Sequence, residues 1–212
     1  HVDRTEFLGR LLASDRTDRA LFDLLLALYA DDKPIRGEKT PDHVHVVPTL
    51  MAWFPQAKVI HTFRDLRAIF VSERNKKLVQ PSVPWRYRLF RRSALTFEMY
   101  ISSNIIANWL RLAQLHQQYQ KRYPQNYYLC RFEDLVNQPR VELQKICDFV
   151  EIDFTEAMLQ QSFQNSSFAP RNQAQGFDNS AAERWRRHLH PLTNRWLLWW
   201  SRKRLQEFGY QL

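Results

Sequence analysis

The chain has 212 residues and is 44% apolar, enough to bury one real core, so one domain suffices. Its two cysteines, Cys130 and Cys147, sit in apolar segments and no CxxC or His-x-x-x-His spacing occurs, so the pattern reads as buried thiols, with no disulfide framework and no metal. No run of apolar residues is long enough to span a bilayer, and a net charge of +9 suits an anionic ligand, an acidic substrate, nucleic acid or an anionic surface without choosing among them.

Thr17 to Ala30 has leucines and aromatics at helical spacing behind a Thr17 or Asp18 cap and predicts a core-packed helix. Ile35 to Thr40 predicts a short strand, after which Pro41 opens a helix that runs from His43 to Phe54 and stops at Pro55. Lys58 to Phe63 is short, β-branched and aromatic, as a buried strand requires. Arg64 and Asp65 follow, and Asp65 can cap the next helix, which carries Ser72. Val79 to Arg92, proline-broken and basic, predicts a surface loop or flap.

Ser93 to Tyr123 has no internal proline or glycine and predicts one long helix through Leu95, Ile105, Trp109, Leu112 and Leu115. Tyr127 to Phe132 predicts a second buried strand with Glu133 and Asp134 at its end. In the helix from Pro139 to Val150 the inward set is Val141, Leu143, Ile146, Cys147 and Phe149. The polar stretch Gln160 to Asn179 is a long loop, and a helical region broken at Pro191 runs from Ala181 to Phe208. Trp196, Trp199 and Trp200 read as packing residues of that helix, with membrane contact as the other reading.

Strands alternating with helices predict a parallel α/β sheet, whose ligands bind outside the carboxyl ends of the strands. Three polar clusters fall at those ends: Glu38-Lys39-Thr40, Arg64-Asp65 and Glu133-Asp134. Arg64 stands beside a helix N-terminus, and Ser72 lies seven residues past Asp65, about two turns and about 10 Å along the same face. The pattern fits a grip for an anion alongside the helix; it equally fits a surface ion pair and a solvated hydroxyl.

Taken together and in order, these segments resemble the sulfotransferases that use 3′-phosphoadenosine 5′-phosphosulfate (PAPS), in particular the bacterial and heparan-type branches. GEKTPDH (Gly37 to His43) is similar to that family's Glu-Lys-Thr-Pro motif, and RDLRAIFVS (Arg64 to Ser72) to its 3′-phosphate signature. RFEDLVNQP (Arg131 to Pro139) resembles its Tyr-Glu-Asp-Leu segment, while ERWRRHL and EFGY resemble its C-terminal pattern. The resemblance implies a three-layer P-loop NTPase-like fold, a parallel sheet flanked by helices. It also implies that Arg64 and Ser72 hold the 3′-phosphate, that Lys39 points to the transferring sulfonate, and that Ser180, Arg184 and Arg186 belong to a loop closing over the nucleotide. Phe132 stands where the family often has tyrosine, which keeps packing near the adenine and removes a hydroxyl.

The family's glycine-rich 5′-phosphosulfate loop has no counterpart in the sequence, and its expected place precedes His1. The resemblance therefore implies an N-terminally truncated, single partial domain, lacking the first strand and incapable of turnover as it stands. Glu38 and His43 are the candidates for the general base. The implied reaction moves a sulfonate to a hydroxyl or amine of a small-molecule, glycan or lipid acceptor, in the cytoplasm, with peripheral membrane contact as an accessory possibility. Two other readings stay open: a nucleotide kinase of related fold, which needs GxxxxGK[ST], and a basic nucleic-acid-binding module, suggested by the arginine-aromatic run Trp85 to Arg92.

Overall fold

The computed structural model describes residues 3–30, 33, 35–79, 93–160 and 176–212. The basic loop beyond Val79 and most of the polar loop after Gln160 lie outside the described residues. The chain forms two compact units, His1–Ala57 and Lys58–Leu212.

The first unit holds α1 (Arg4–Ala13), α2 (Asp18–Ala30), a 3₁₀ turn (Pro41–His45) and α3 (Val47–Trp53). Asp3 caps α1 by accepting the Thr5 N–H at 2.7 Å, and Thr17 caps α2 by accepting that of Ala20 at 3.1 Å. Phe22 of α2 packs against the rings of His43, Trp53 and Phe54. The strand expected at Ile35 to Thr40 does not form. A strand needs a ladder partner and none exists among the described residues; instead Glu38 binds the Thr40 hydroxyl and His43, folding the segment on itself. The helix expected from His43 to Phe54 divides at Val46 into the 3₁₀ turn and α3.

The second unit is built on two parallel strands, β1 (Val59–Phe63) and β2 (Tyr127–Arg131), paired from Val59 with Tyr127 to Phe63 with Arg131. Between them run α4 (Leu66–Val79) and the long α5 (Ala94–Arg122). After β2 come α6 (Phe132–Asn137), α7 (Pro139–Val150), a 3₁₀ turn (Glu156–Leu159), the short α8 (Ser180–Glu183) and α9 (Trp185–His188), and α10 (Pro191–Glu207). On one side α4, α5 and α10 enclose the core of Phe63, Leu66, Phe70, Ile101, Trp109 and Leu197. On the other side α7 covers β2, so the arrangement has three layers.

Three details depart from the sequence expectation. β1 is buried on one face only: Phe63 points into the core while Ile60 and Thr62 are exposed. On α7 Val141 is 49% exposed and Glu142 is buried, because the Tyr128 hydroxyl donates to Glu142 at 2.8 Å and Lys145 pairs with it at 3.2 Å. On α10 Leu197, Ser201 and Leu205 face the core, and Trp199 and Trp200 point outward. Both cysteines are free and buried. Among the described residues no helix is long and apolar enough to cross a membrane.

Under the sheet, the Tyr127 hydroxyl lies 2.6 Å from His61 Nδ1 and 3.2 Å from His116 Nδ1, so it can donate to one ring and accept from the other. Burial holds both imidazoles neutral, lowering the pKa of His61 from 6.5 to about 4 and that of His116 in the same direction. Between those values the unfolded chain takes up a proton at His61 that the folded chain refuses. Stability from His61 is therefore complete above pH 6.5 and declines as pH falls to about 4, by on the order of 2–3 kcal/mol. Denaturant melts across this window should show a smaller acid loss for His61→Gln than for the wild type; equal slopes would refute the burial argument.

Candidate functional site

The site grows from the carboxyl ends of the two strands. Parallel register sets Phe63 beside Arg131, and the next residues, Arg64 and Phe132, meet with the guanidinium 4.1 Å from the ring centroid. Arg64 Nη2 donates to the Ala181 carbonyl at 2.8 Å, which ties α8 to the end of β1. Its own carbonyl accepts the indole N–H of Trp109 at 2.9 Å, which ties it to α5. The Arg64 Nε is buried and has no hydrogen-bond partner among the described residues. Burial lowers the pKa of this guanidinium, and Glu133 acts in the opposite direction; an arginine stays charged under both.

Asp65 begins α4 as the sequence predicts. Its carboxylate accepts the Arg67 N–H at 2.7 Å, and its carbonyl accepts that of Ile69 at 3.0 Å. The same carboxylate takes Nε and Nη2 of Arg67, whose side chain is 1% exposed, lies 4.0 Å from the Trp185 ring and donates to the Gln211 carbonyl. Asp65 also donates its N–H to Glu133 Oε1 at 3.0 Å, and the Tyr210 hydroxyl donates to Glu133 Oε2 at 3.1 Å. Burial pushes the Glu133 carboxyl up while the Asp65 N–H pulls it down; burial and then the Glu133 charge push Tyr210 up.

Ser72 is half-buried on α4, two turns beyond Asp65. Ser180 and Arg184 share Asp178: the serine hydroxyl donates to it at 2.5 Å, and Arg184 Nη2 donates to it at 2.5 Å and to the Ser180 hydroxyl at 2.9 Å. Arg184 also lies near enough to Arg64 for their charges to repel. Arg186 is exposed, 3.6 Å from Glu183 and 4.8 Å from the Trp185 ring, and takes no part in this cluster. Within the first unit Lys39 is exposed, and Glu38 lies 2.5 Å from His43 Nδ1, so the two candidate bases face each other.

Arg67 and Tyr210 were not singled out by sequence reasoning, although both matter to the site's shape. The available signal was an arginine two residues after a capping aspartate, and a tyrosine after the left-handed Gly209, whose φ is +73°. A groove of about 450 Å³ also runs between α4 and α5, lined by Ile69, Glu73, Tyr100, Asn104, Asn108 and Trp109 among others.

Arg67→Ala leaves Asp65 buried and unpaired at the joint of β1 and α4, so it should destabilise the chain by roughly 3–5 kcal/mol. Arg140→Ala, which removes an exposed pair with Glu156, should leave the urea midpoint near that of the wild type. Comparable shifts for the two variants would contradict the weight given to the buried pair.

A model described as the Sulfotransferase family matches residues 5–156. No curated protein sequence matches significantly. Among solved structures, the sulfotransferase domain from the Synechococcus PCC 7002 olefin synthase aligns with a TM-score of 0.58 at 19% identity, over 97% of this chain and 75% of that one. The sulfotransferase domain from the curacin biosynthetic pathway aligns with a TM-score of 0.55 at 16% identity, over 98% of this chain and 78% of that one. At these identities the two structures speak for the fold, and the matched family for the class of enzyme. With its three-layer fold, and with the family match taking in both the Glu38 turn and the Arg64 and Glu133 strand ends, the chain belongs to the sulfotransferase family.

Proposed function

We propose that this sulfotransferase takes its sulfonate from PAPS and passes it to a hydroxyl or amine acceptor, and that Arg64 and Ser72 hold the 3′-phosphate of the nucleotide. The observation that carries this reading is the buried Arg64 Nε, which has no hydrogen-bond partner among the described residues and stands just ahead of the cap of α4. A buried guanidinium N–H just ahead of a helix N-terminus fits a phosphate oxygen, which would satisfy it with a charge-assisted bond. Phe132 keeps the guanidinium in place through its ring face, and its ring is proposed to pack near the adenine. Arg184 adds a second cation once Asp178 shares it with the ligand.

PAPS supplies an activated sulfonate with a good leaving group. The acceptor oxygen or nitrogen forms the new bond to sulfur while the bond from sulfur to the bridging phosphate oxygen breaks. 3′-Phosphoadenosine 5′-phosphate departs, and the acceptor proton goes to a base, for which Glu38 and His43 are the candidates. Lys39 is proposed to face the sulfonate and stabilise charge on the bridging oxygen. The groove beside α4 offers the acceptor an apolar floor of Ile69 and Trp109 with Tyr100, Asn104 and Asn108 as hydrogen-bonding groups.

3′-Phosphoadenosine 5′-phosphate should raise the melting temperature of the chain more than 5′-AMP does, and Arg64→Ala should weaken its binding by roughly 10- to 100-fold. Equal stabilisation by the two nucleotides would remove the 3′-phosphate assignment. Lys39→Ala should leave that nucleotide shift in place and, in a form that carries a 5′-phosphosulfate loop, lower sulfonate transfer by roughly 100-fold, measured as labelled sulfonate leaving PAPS. An unchanged transfer rate would take Lys39 out of the mechanism.

A further inference from the structure

α10 is apolar on two opposite faces. Leu197, Ser201 and Leu205 form the buried face. Leu192, Arg195, Trp196, Trp199, Trp200 and Lys203 recur at steps of three and four residues, a single stripe about 16 Å long on the outer side. Leu192 is 66% exposed, Trp199 81% and Trp200 52%, and Trp196 and Trp200 meet edge to face with centroids 5.8 Å apart. Large aromatic rings in such a row leave much apolar area in water, which marks a contact surface.

The charge around the stripe indicates what it contacts. Between Glu183 and Glu207 the chain has no acidic residue, while Arg195, Arg202 and Lys203 are exposed on α10 and make no ion pair among the described residues. Arg195 precedes the three indoles and Arg202 and Lys203 follow them, so the face is apolar and cationic with no acidic residue of its own, which suits an anionic surface. Indole rings settle at the level of lipid headgroups, and arginine and lysine there meet the phosphates and carboxylates of anionic lipids. We infer that the outer face of α10 docks this chain on an anionic bilayer surface, with Trp199 and Trp200 entering the headgroup layer and Arg195, Arg202 and Lys203 holding the lipid charge. The inference is independent of the nucleotide assignment, since none of these residues belongs to that site.

The test is co-sedimentation of the full chain with vesicles of phosphatidylcholine and phosphatidylserine at about three to one, against vesicles of phosphatidylcholine alone. The chain should sediment with the anionic vesicles and hardly with the neutral ones, and brominated lipid should quench its tryptophan fluorescence. Trp199→Ser with Trp200→Ser should lower the partition coefficient at least about tenfold, and Arg202→Glu with Lys203→Glu should abolish the preference for phosphatidylserine. Circular dichroism melts matching the wild type show that the variants fold, as exposed positions require. Equal recovery on both vesicles, or wild-type binding by the double tryptophan variant, would overturn the inference. So would tighter binding to a single-stranded oligonucleotide than to the vesicles, or a tryptophan-dependent dimer in sedimentation without vesicle binding.

Discussion

The Asp65 carboxylate and the backbone N–H beside it hold the site together. One residue ends β1, caps α4, neutralises a buried arginine and, through its N–H, takes hold of Glu133 at the end of β2. Burying a carboxylate costs several kcal/mol unless its charge and lone pairs are matched. Here Arg67 matches the charge, and the helix N-terminus donates its Arg67 N–H to the same carboxylate. The two strand ends are thus locked in register, and Arg64 is left in a defined place between them.

Arg64 is held by its surroundings on almost every side: a ring below, a carbonyl of α8 at Nη2, and the Trp109 indole on its backbone. That degree of constraint matters for anion binding, because a guanidinium already oriented loses little freedom when a ligand arrives. The nearby Glu133 does not cancel the grip. Both its oxygens are engaged, one by the Asp65 N–H and the other by the Tyr210 hydroxyl, so it acts as a joint between strand and C-terminus. Arg64 Nε therefore keeps a buried donor without a hydrogen-bond partner among the described residues, as Arg67 Nη1 and Arg131 Nε do beside it.

Unlike α4, which buries Arg67, α10 sets all its charges outward. Its Leu197 and Leu205 complete the core against α4 and α5, while its tryptophans and cations remain on the solvent side. Spacing in sequence cannot separate these cases, because leucine and tryptophan at helical intervals fit either face. The same ambiguity explains α7, where Val141 and Glu142 differ by one position and the buried one is the carboxylate, drawn in by Tyr128 and Lys145. Hydrophobic periodicity assumes that charge stays outside, and a specific buried partner defeats that assumption.

Local chemistry alone was enough for much of the molecule. Proline placement bounded α5 and α7, Asp65 announced the cap of α4, and the apolar runs at Val59 and Tyr127 became the parallel pair that the alternation of strands and helices predicts. These features depend on neighbours a few residues apart, and a chain carries that information in order. The strand expected before Pro41 failed because strands need a partner that no local pattern supplies. Likewise Arg67 meeting Trp185, Tyr210 reaching Glu133 and Phe132 lying under Arg64 join residues up to 118 positions apart. Only folding could decide which of the many polar side chains would be buried against one another. The sequence by itself determined most of the elements and the presence of an arginine at a strand end; the tertiary structure decided that this arginine would be fixed in place with a donor to spare.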